Sequence, residues 1–431
     1  MFTTYADTLT YLYQNLPVFQ RVGSVAYKKD IANTIRLCEI LGNPHKKFKS
    51  VHIAGTNGKG STSHMLSAVL QVAGYKTGLY TSPHLHEFTE RIRVDGAEVS
   101  REFIVDFVNR IQPYIDEIKP SFFEITVAMA FDYFASQQID IAVVEVGLGG
   151  RLDSTNVITP ELSLITNIGW DHKDLLGDTL VQIAGEKAGI IKPGVPVVVS
   201  ERQPGIDEVF IRRAQELGSQ IHFATEDFRV EPVNKAGRIT LNVFHRGDMI
   251  FPDLYIPLQG YYQQKNLIGV LKAVEVLDHL NWGITSEGLL KGLSEVTTLT
   301  GLRGRWQKLG ERPLVVCDTG HNIDGIREVV NQIRAQSFQK LHIVFGVVKD
   351  KDLGAVLEVL PGDAFYYFCE AKIPRAMPAA QLAQLAESAG LSGVIVPDVQ
   401  SAVNEARNRA APDDMIFIGG STFVVAELDN L

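Results

Sequence analysis

From about residue 51 onward the chain alternates short, nearly continuous apolar runs with segments whose apolar residues recur at helical spacing. SVHIA (50–54), TGLYT (77–81), IDIAVVEV (139–146), LSLITNI (162–168) and VPVVVS (195–200) predict strands. Runs apolar on both faces suit a parallel sheet covered by helices on both sides. Between the first two, residues 61–73 predict a helix: Met65, Leu66, Val69, Leu70 and Val72 make one apolar face and Gly74 closes it. Another helix is expected over 178–190, ended by Pro193. From 228 to 258 the period shortens to alternation, as in RITLNVF and MIFPDLYIPL, which predicts an antiparallel excursion, and 263–280 returns to a helix. VTTLTGLRGR (296–305) has little helical period and marks a boundary. Beyond it PLVVCD, LHIVFG, FYYFCE and MIFIGG each precede one helical stretch, the last of them short. The expected fold class is therefore α/β in two domains, 1–298 and 299–431, with the chemistry in the cleft between them.

Length agrees, since 431 residues exceed what one core organises. With 45% hydrophobic and 21% charged residues the composition is that of a soluble globular protein. The start, MFTTYADTLTYLYQNL, has no basic segment or sustained apolar run, and no stretch approaches the roughly 20 apolar residues of a membrane helix. Cys38, Cys317 and Cys369 are odd in number and widely spaced, which argues against disulfides or a structural zinc and for a reducing cytoplasm. A net charge of −9 disfavours a nucleic-acid partner, while leaving room for a local basic pocket.

The chemistry begins at VHIAGTNGKGST (51–62), where a strand meets a glycine-rich loop and a helix. Such loops turn several backbone N–H groups toward one anion at the positive end of the helix. Thr56, Asn57, Gly58, Lys59, Gly60 and Ser61 are thus the expected phosphate cradle, with Lys59 as the mobile cation. The first domain is expected to be of the P-loop ATPase type, with a parallel sheet, and the smaller second one to be Rossmann-like. The spacing departs from the usual template: two residues separate Gly55 from Gly58-Lys59, and Gly60 precedes Ser61. GTNGKGS resembles the loop of the folylpolyglutamate synthase and dihydrofolate synthase family, whose Mur ligase cousins carry Ser or Thr directly after the lysine. TSPHL (81–85), ERIRV (90–94), EVGLGGRLDSTN (145–156), DH (171–172), EKAGIIK (186–192), GRWQ (304–307) and DTGHN (318–322) follow in the family's order.

The resemblance implies roles. Ser82, Glu145 and His172 would be Mg²⁺ ligands, with two ions expected. Taken alone, Glu145 reads as a surface ion-pair partner and His172 as a hydrogen-bonded loop histidine. A zinc site of His84, His86 and His172 is disfavoured, because nearby cysteines are lacking and zinc leaves the phosphate loop unexplained. Lys187, in the EKAG motif, would be carbamylated by CO₂, a modification that requires the neutral amine. Phe122, Phe123 and Glu124 of SFFE, with Leu152, Asp153 and Ser154 of LDS, would line the pteroate or folate pocket, although either phenylalanine alone reads equally well as core. Asn266, Arg305 and Asp318 would hold ATP, and His321 would assist the acyl phosphate or the incoming glutamate. Three departures blur substrate assignment: Leu302-Arg303 where the family has proline, DTGHNID for DGAHNP, and Tyr262 for a common histidine. KDKD (349–352) and PRAMP (374–378) also match family segments without a derivable role.

The implied activity is ATP-dependent ligation of L-glutamate to dihydropteroate, to folate polyglutamates, or to both, through an acyl phosphate, by a monomer with no nucleic-acid or membrane partner. Phosphorylation supplies the leaving group that a carboxylate lacks, and the catalytic set is Lys59, Lys187 and His321. The competing readings are a Mur-type ligase and a nucleotide-binding regulator without ligase chemistry.

Overall fold

The buried run Lys49–Ala54 is β1, in the middle of a mostly parallel sheet. Its partners are β2 (Thr77–Tyr80), β3 (Ile92–Val94), β4 (Ala97–Glu98), β5 (Ile141–Glu145), β6 (Leu162–Ile165), β7 (Val197–Val199) and β8 (Ile221–Phe223), in the order β4-β3-β2-β5-β1-β6-β7-β8. Only β3 and β4 run antiparallel to their neighbours. The computed structural model describes residues 1–18, 23, 28, 30–235, 238–349 and 353–431. Residues 350–352 of the KDKD segment lie outside the described residues.

One apolar cluster joins β2 and β5 to the helices Tyr5–Asn15, Ala32–Ile40, Arg101–Ile118 and Phe122–Ser136. Another joins β6 and β7 to Leu180–Ala188 and Asp207–Glu216. The helix Lys59–Val72 leaves β1 through the glycine-rich loop and packs against Gln263–His279 and Ser286–Ser294. The alternating segment forms an antiparallel sheet of β9 (Phe228–Lys235), β10 (Arg238–His245) and β11 (Asp248–Leu254).

The remaining strands are β12 (Gln307–Glu311), β13 (Leu314–Cys317), β14 (Leu341–Phe345), β15 (Phe365–Glu370), β16 (Ser392–Asp398) and β17 (Met415–Gly419), in the order β12-β13-β17-β14-β15-β16. All pair in parallel except β12. The sequence reading placed one helix between FYYFCE and MIFIGG. The structure places two there, Ala379–Ser388 and Val399–Arg409, with β16 between them. β16 is an edge strand and mostly exposed, so it lacks the apolar run by which the other strands were read. VTTLT, read as irregular, is a short helix, Val296–Thr300, closed by Gly301 in the left-handed region.

The chain divides into two compact units: Met1–Pro257 with Gln263–Leu302, and Leu258–Tyr262 with Arg303–Leu431. Among the described residues no helix is long and apolar enough to cross a membrane.

Candidate active site

In the first unit the phosphate loop is shaped by backbone that only glycine adopts easily. Gly55 and Gly58 have φ of 150° and 86°, and a Cβ would meet the Thr166 hydroxyl at Gly55 and the Asn266 amide at Gly58. Asn266, expected at ATP from the sequence, is therefore packed on the loop. It donates to Gln263 Oε1 at 2.8 Å, and Gln263 Nε2 donates to Ser61 Oγ at 3.0 Å. Thr56 and Asn57 are anchored from the segment after β6: Thr56 N donates to Asn167 O at 2.9 Å, Asn57 N to Asn167 Oδ1 at 2.9 Å, and Thr166 Oγ1 to Asn57 O at 2.6 Å. Gly60 and Ser61 lie in the first turn of the helix Lys59–Val72, whose first amides have no intrahelical acceptor and so suit an anion.

Two lysines converge on one carbonyl. Lys59 Nζ donates to Gly55 O at 3.0 Å and to Thr56 O at 3.1 Å, while Lys187 Nζ donates to Gly55 O at 2.8 Å. Lys187 is buried, and burial first, then the Lys59 charge, push its amine down to about 7. Asp171 and Asp153 pull the other way without reversing the shift. A buried amine that is substantially neutral near pH 7 is a nucleophile rather than a fixed cation.

Glu145 ends β5 with its carboxylate buried, and Ser82 N donates to its Oε2 at 3.2 Å. The structure thus brings Ser82 and Glu145 together. His172 is the left-handed N-cap (φ 49°) of the turn Lys173–Leu176, its Nε2 3.8 Å from Asp171 Oδ2. Among the described residues no three His, Cys, Asp or Glu side chains gather as a metal site. A carboxylate and a hydroxyl beside a phosphate loop nevertheless fit Mg²⁺, which takes few protein oxygens and fills its shell with water and phosphate. His84, the first histidine of the zinc alternative, is bonded otherwise: Arg91 Nε donates to its Nδ1 at 2.7 Å and Tyr13 Oη lies 3.4 Å from its Nε2.

The segments expected at pteroate divide. Phe123 packs on Gly147, where a Cβ would strike its ring, and so lies beside the loop after β5. Phe122 belongs to the core, stacked on Tyr13. Glu124 closes a capping box with Ser121, accepting from Ser121 N at 2.6 Å and from Asn33 Nδ2 at 3.2 Å. Asp153 accepts from Leu148 N at 2.8 Å and from Thr155 N at 3.0 Å, tying the glycine loop 147–150 to the turn Ser154–Val157. Burial raises the Asp153 carboxyl above its ordinary range despite these bonds. Leu152 is half-buried between that loop and Asp153, and Ser154 is buried at the start of the turn.

In the second unit Asp318 follows β13 and is the hub of a compact turn. Its Oδ2 accepts from Trp306 N at 2.7 Å and from Tyr262 Oη at 2.6 Å, and its Oδ1 from Gly320 N at 2.7 Å. Burial raises both the Asp318 carboxyl and, strongly, the Tyr262 phenol, so the phenol is the donor. Arg305 Nη1 donates to Gly304 O at 3.3 Å and to Thr319 Oγ1. His321 Nδ1 lies 3.0 Å from Thr319 O. Arg305, Asp318 and His321 are thus gathered at the C-terminal end of a sheet strand, where α/β folds bind ligands. Sequence reasoning missed Thr166, Asn167 and Gln263. Only QQKN (263–266), lying beside Asn266 in the chain, offered a local signal for any of them.

Residues 53–274 match the Mur ligase middle domain, and 304–422 match the glutamate ligase domain of Mur ligases. The dihydrofolate synthase/folylpolyglutamate synthase of Bacillus subtilis (strain 168) is 32% identical over 441 residues, covering 99% of this chain and 99% of its own. E. coli FolC in complex with DHPP and ADP superposes with a TM-score of 0.85 at 28% identity, covering 98% of this chain and 96% of its own. The bifunctional folylpolyglutamate synthase/dihydrofolate synthase of Yersinia pestis, complexed with AMPPNP and a Mn ion, gives 0.83 at 30% identity, covering 98% and 97%.

Proposed function

Because the chain belongs to the folylpolyglutamate and dihydrofolate synthase family of Mur-type ligases and is an ATP-dependent carboxylate–amine ligase, we propose that it adds L-glutamate to both 7,8-dihydropteroate and tetrahydrofolate polyglutamates. The observation that supports this most is the convergence of Lys59 and Lys187 on the Gly55 carbonyl at the head of the helix Lys59–Val72. An acceptor carboxylate oxygen attacks the γ-phosphorus of ATP, and the bond to the ADP oxygen breaks. The α-amine of glutamate then attacks the acyl phosphate, loses a proton, and expels phosphate. Lys59 and the helix N-terminus neutralise charge on the transferring group, and Arg305 adds a second cation. His321 assists the incoming glutamate. The neutral Lys187 amine takes up CO₂ and releases one proton, leaving an anionic carbamate. Ser82, Glu145, His172 and that carbamate would hold two Mg²⁺ ions, which would supply Lewis-acid neutralisation of the phosphates when bound. Phe123, Leu152 and Ser154 face the pteroyl ring system, with Phe122, Glu124 and Asp153 supporting that wall.

In this reading a monomer uses residues 1–298 for ATP and the acceptor, and residues 299–431 complete ATP and glutamate binding through Arg305 and Asp318. The test is glutamate-dependent phosphate release from Mg·ATP with each acceptor, and a product heavier by one glutamyl unit. Glutamate-independent hydrolysis alone, or silence with both acceptors, would sink the proposal.

A further inference from the structure

Arg91 ends the short turn Phe88–Arg91 just before β3 and is only 4% exposed. A guanidinium so deeply placed ordinarily sits against a carboxylate, because an unpaired buried cation is far costlier than a paired one. Among the described residues none pairs with it. Its Nε donates to His84 Nδ1 at 2.7 Å, and its guanidinium carbon lies 5.5 Å from the centre of the Phe122 ring. Because His84 Nδ1 accepts that bond, the imidazole serves as a hydrogen-bond acceptor and supplies no negative counter-charge. The adjacent acid is committed elsewhere: Glu90 accepts from Leu85 N, His86 N and Glu87 N at 2.8, 3.0 and 3.0 Å. Both Nη groups therefore lack a protein acceptor among the described residues, while Nε and the ring face are fixed.

Position gives that unanswered charge a meaning. Thr81 N donates to Arg91 O at 3.1 Å, and the next residue, Ser82, donates to Glu145. On its other side the guanidinium rests on Phe122, whose neighbour Phe123 lines the loop after β5. Arg91 thus ties the Ser82–Glu145 pair to the aromatic wall. A planar fork of N–H donors with its edge free matches a carboxylate in bidentate geometry.

We propose that Arg91 binds a non-reacting substrate carboxylate during ligation, through its two Nη groups. That carboxylate belongs either to the terminal glutamate of a folate acceptor or to the incoming glutamate. The proposal rests on the ligase reading above. His84 and Phe122 are positioning residues that aim the fork.

The experiment compares wild type, Arg91→Lys and Arg91→Gln by steady-state kinetics for every substrate, together with thermal unfolding. Arg91→Gln should raise KM for one carboxylate substrate by about 10- to 100-fold, as expected when a bidentate charge-assisted pair is lost, with Arg91→Lys intermediate. KM for Mg·ATP should stay within about two-fold, since uniform binding is lost for only one substrate. A rise for glutamate assigns the fork to the incoming amino acid. A rise for tetrahydrofolate but not dihydropteroate, which has no glutamyl carboxylate, assigns it to the acceptor. Unchanged KM values in folded variants, an equal rise for ATP, or failure of both variants to fold would overturn the proposal. A wild-type protein that ligates neither acceptor would remove the ligase reading instead, and would show it before any variant is measured.

Discussion

Two lysines in the first unit are buried to the same extent, Lys187 and Lys272, each 4% exposed, and their surroundings treat them oppositely. Lys272 lies 2.6 Å from Asp227 Oδ2 and 2.6 Å from Glu275 Oε2. Burial alone would lower its pKa, but those two carboxylates override it and raise the ammonium above its ordinary value. Arg246 shares Asp227 at 2.8 Å, so the cluster ties the antiparallel sheet to the helix Gln263–His279. Lys187 has only a carbonyl, and its amine falls to about 7. The same side chain at the same solvent exposure is a structural cation when carboxylates bond it directly and a titrating amine when its bond goes to a carbonyl. Burial is a poor guide to the role of a lysine; the identity of its nearest oxygen is a good one.

The comparison breaks most visibly at Lys187. Lys187→Met should lower glutamate-dependent phosphate release by about 1,000-fold or more, equivalent to about 4 kcal/mol of barrier. Wild-type activity should fall in CO₂-depleted buffer and return with bicarbonate, whereas the variant should not respond. The stability effect has the opposite sign and depends on pH. Since the folded pKa lies below the unfolded one, the unfolded chain binds more protons between about pH 7 and the ordinary lysine value of about 10.4. This group's contribution to stability therefore rises with pH across that window and is least favourable below it. Lys187→Met should gain most in unfolding midpoint at about pH 6 and progressively less toward about pH 10. A gain independent of pH would contradict the assigned shift.

Next in size, Glu145→Gln should slow turnover by about 100-fold, roughly 2.7 kcal/mol, and shift the dependence on divalent cation to higher concentration. Lys272→Met should destabilise by about 2–3 kcal/mol, because Asp227 and Glu275 lose their shared cation, yet leave KM for Mg·ATP unchanged in protein that remains folded. A catalytic defect there would erase the contrast between the two lysines. Smallest, Glu124→Gln should cost about 1 kcal/mol or less of unfolding free energy, since an amide still accepts in a capping box, with little change in kcat.

Local features were legible in the sequence and long-range ones were not. GTNGKGS announced its loop because glycine conformations are properties of consecutive residues, and the buried runs of β1, β5 and β6 appeared as apolar words. β16 was missed because an edge strand with exposed faces has no such word. SFFE illustrates a different loss: read as a substrate segment, its serine and glutamate also spell the S-x-x-E of a capping box, and the structure places Glu124 in that box. The Lys187 amine depends on a carbonyl 132 residues away, and Asp318 on a phenol 56 residues away. No spacing rule reaches such pairs.

The pentapeptide Leu258–Tyr262 belongs to the second unit although both of its flanks belong to the first. The polypeptide therefore crosses between units three times, and the familiar picture of two modules joined by one linker does not describe its wiring. Exchanging the C-terminal module with that of a relative at residue 302 would leave five residues of the old module behind. Among them is Tyr262, the donor that Asp318 uses to brace Trp306 and Gly320. A working chimera therefore has to transplant both pieces, 258–262 and 303–431.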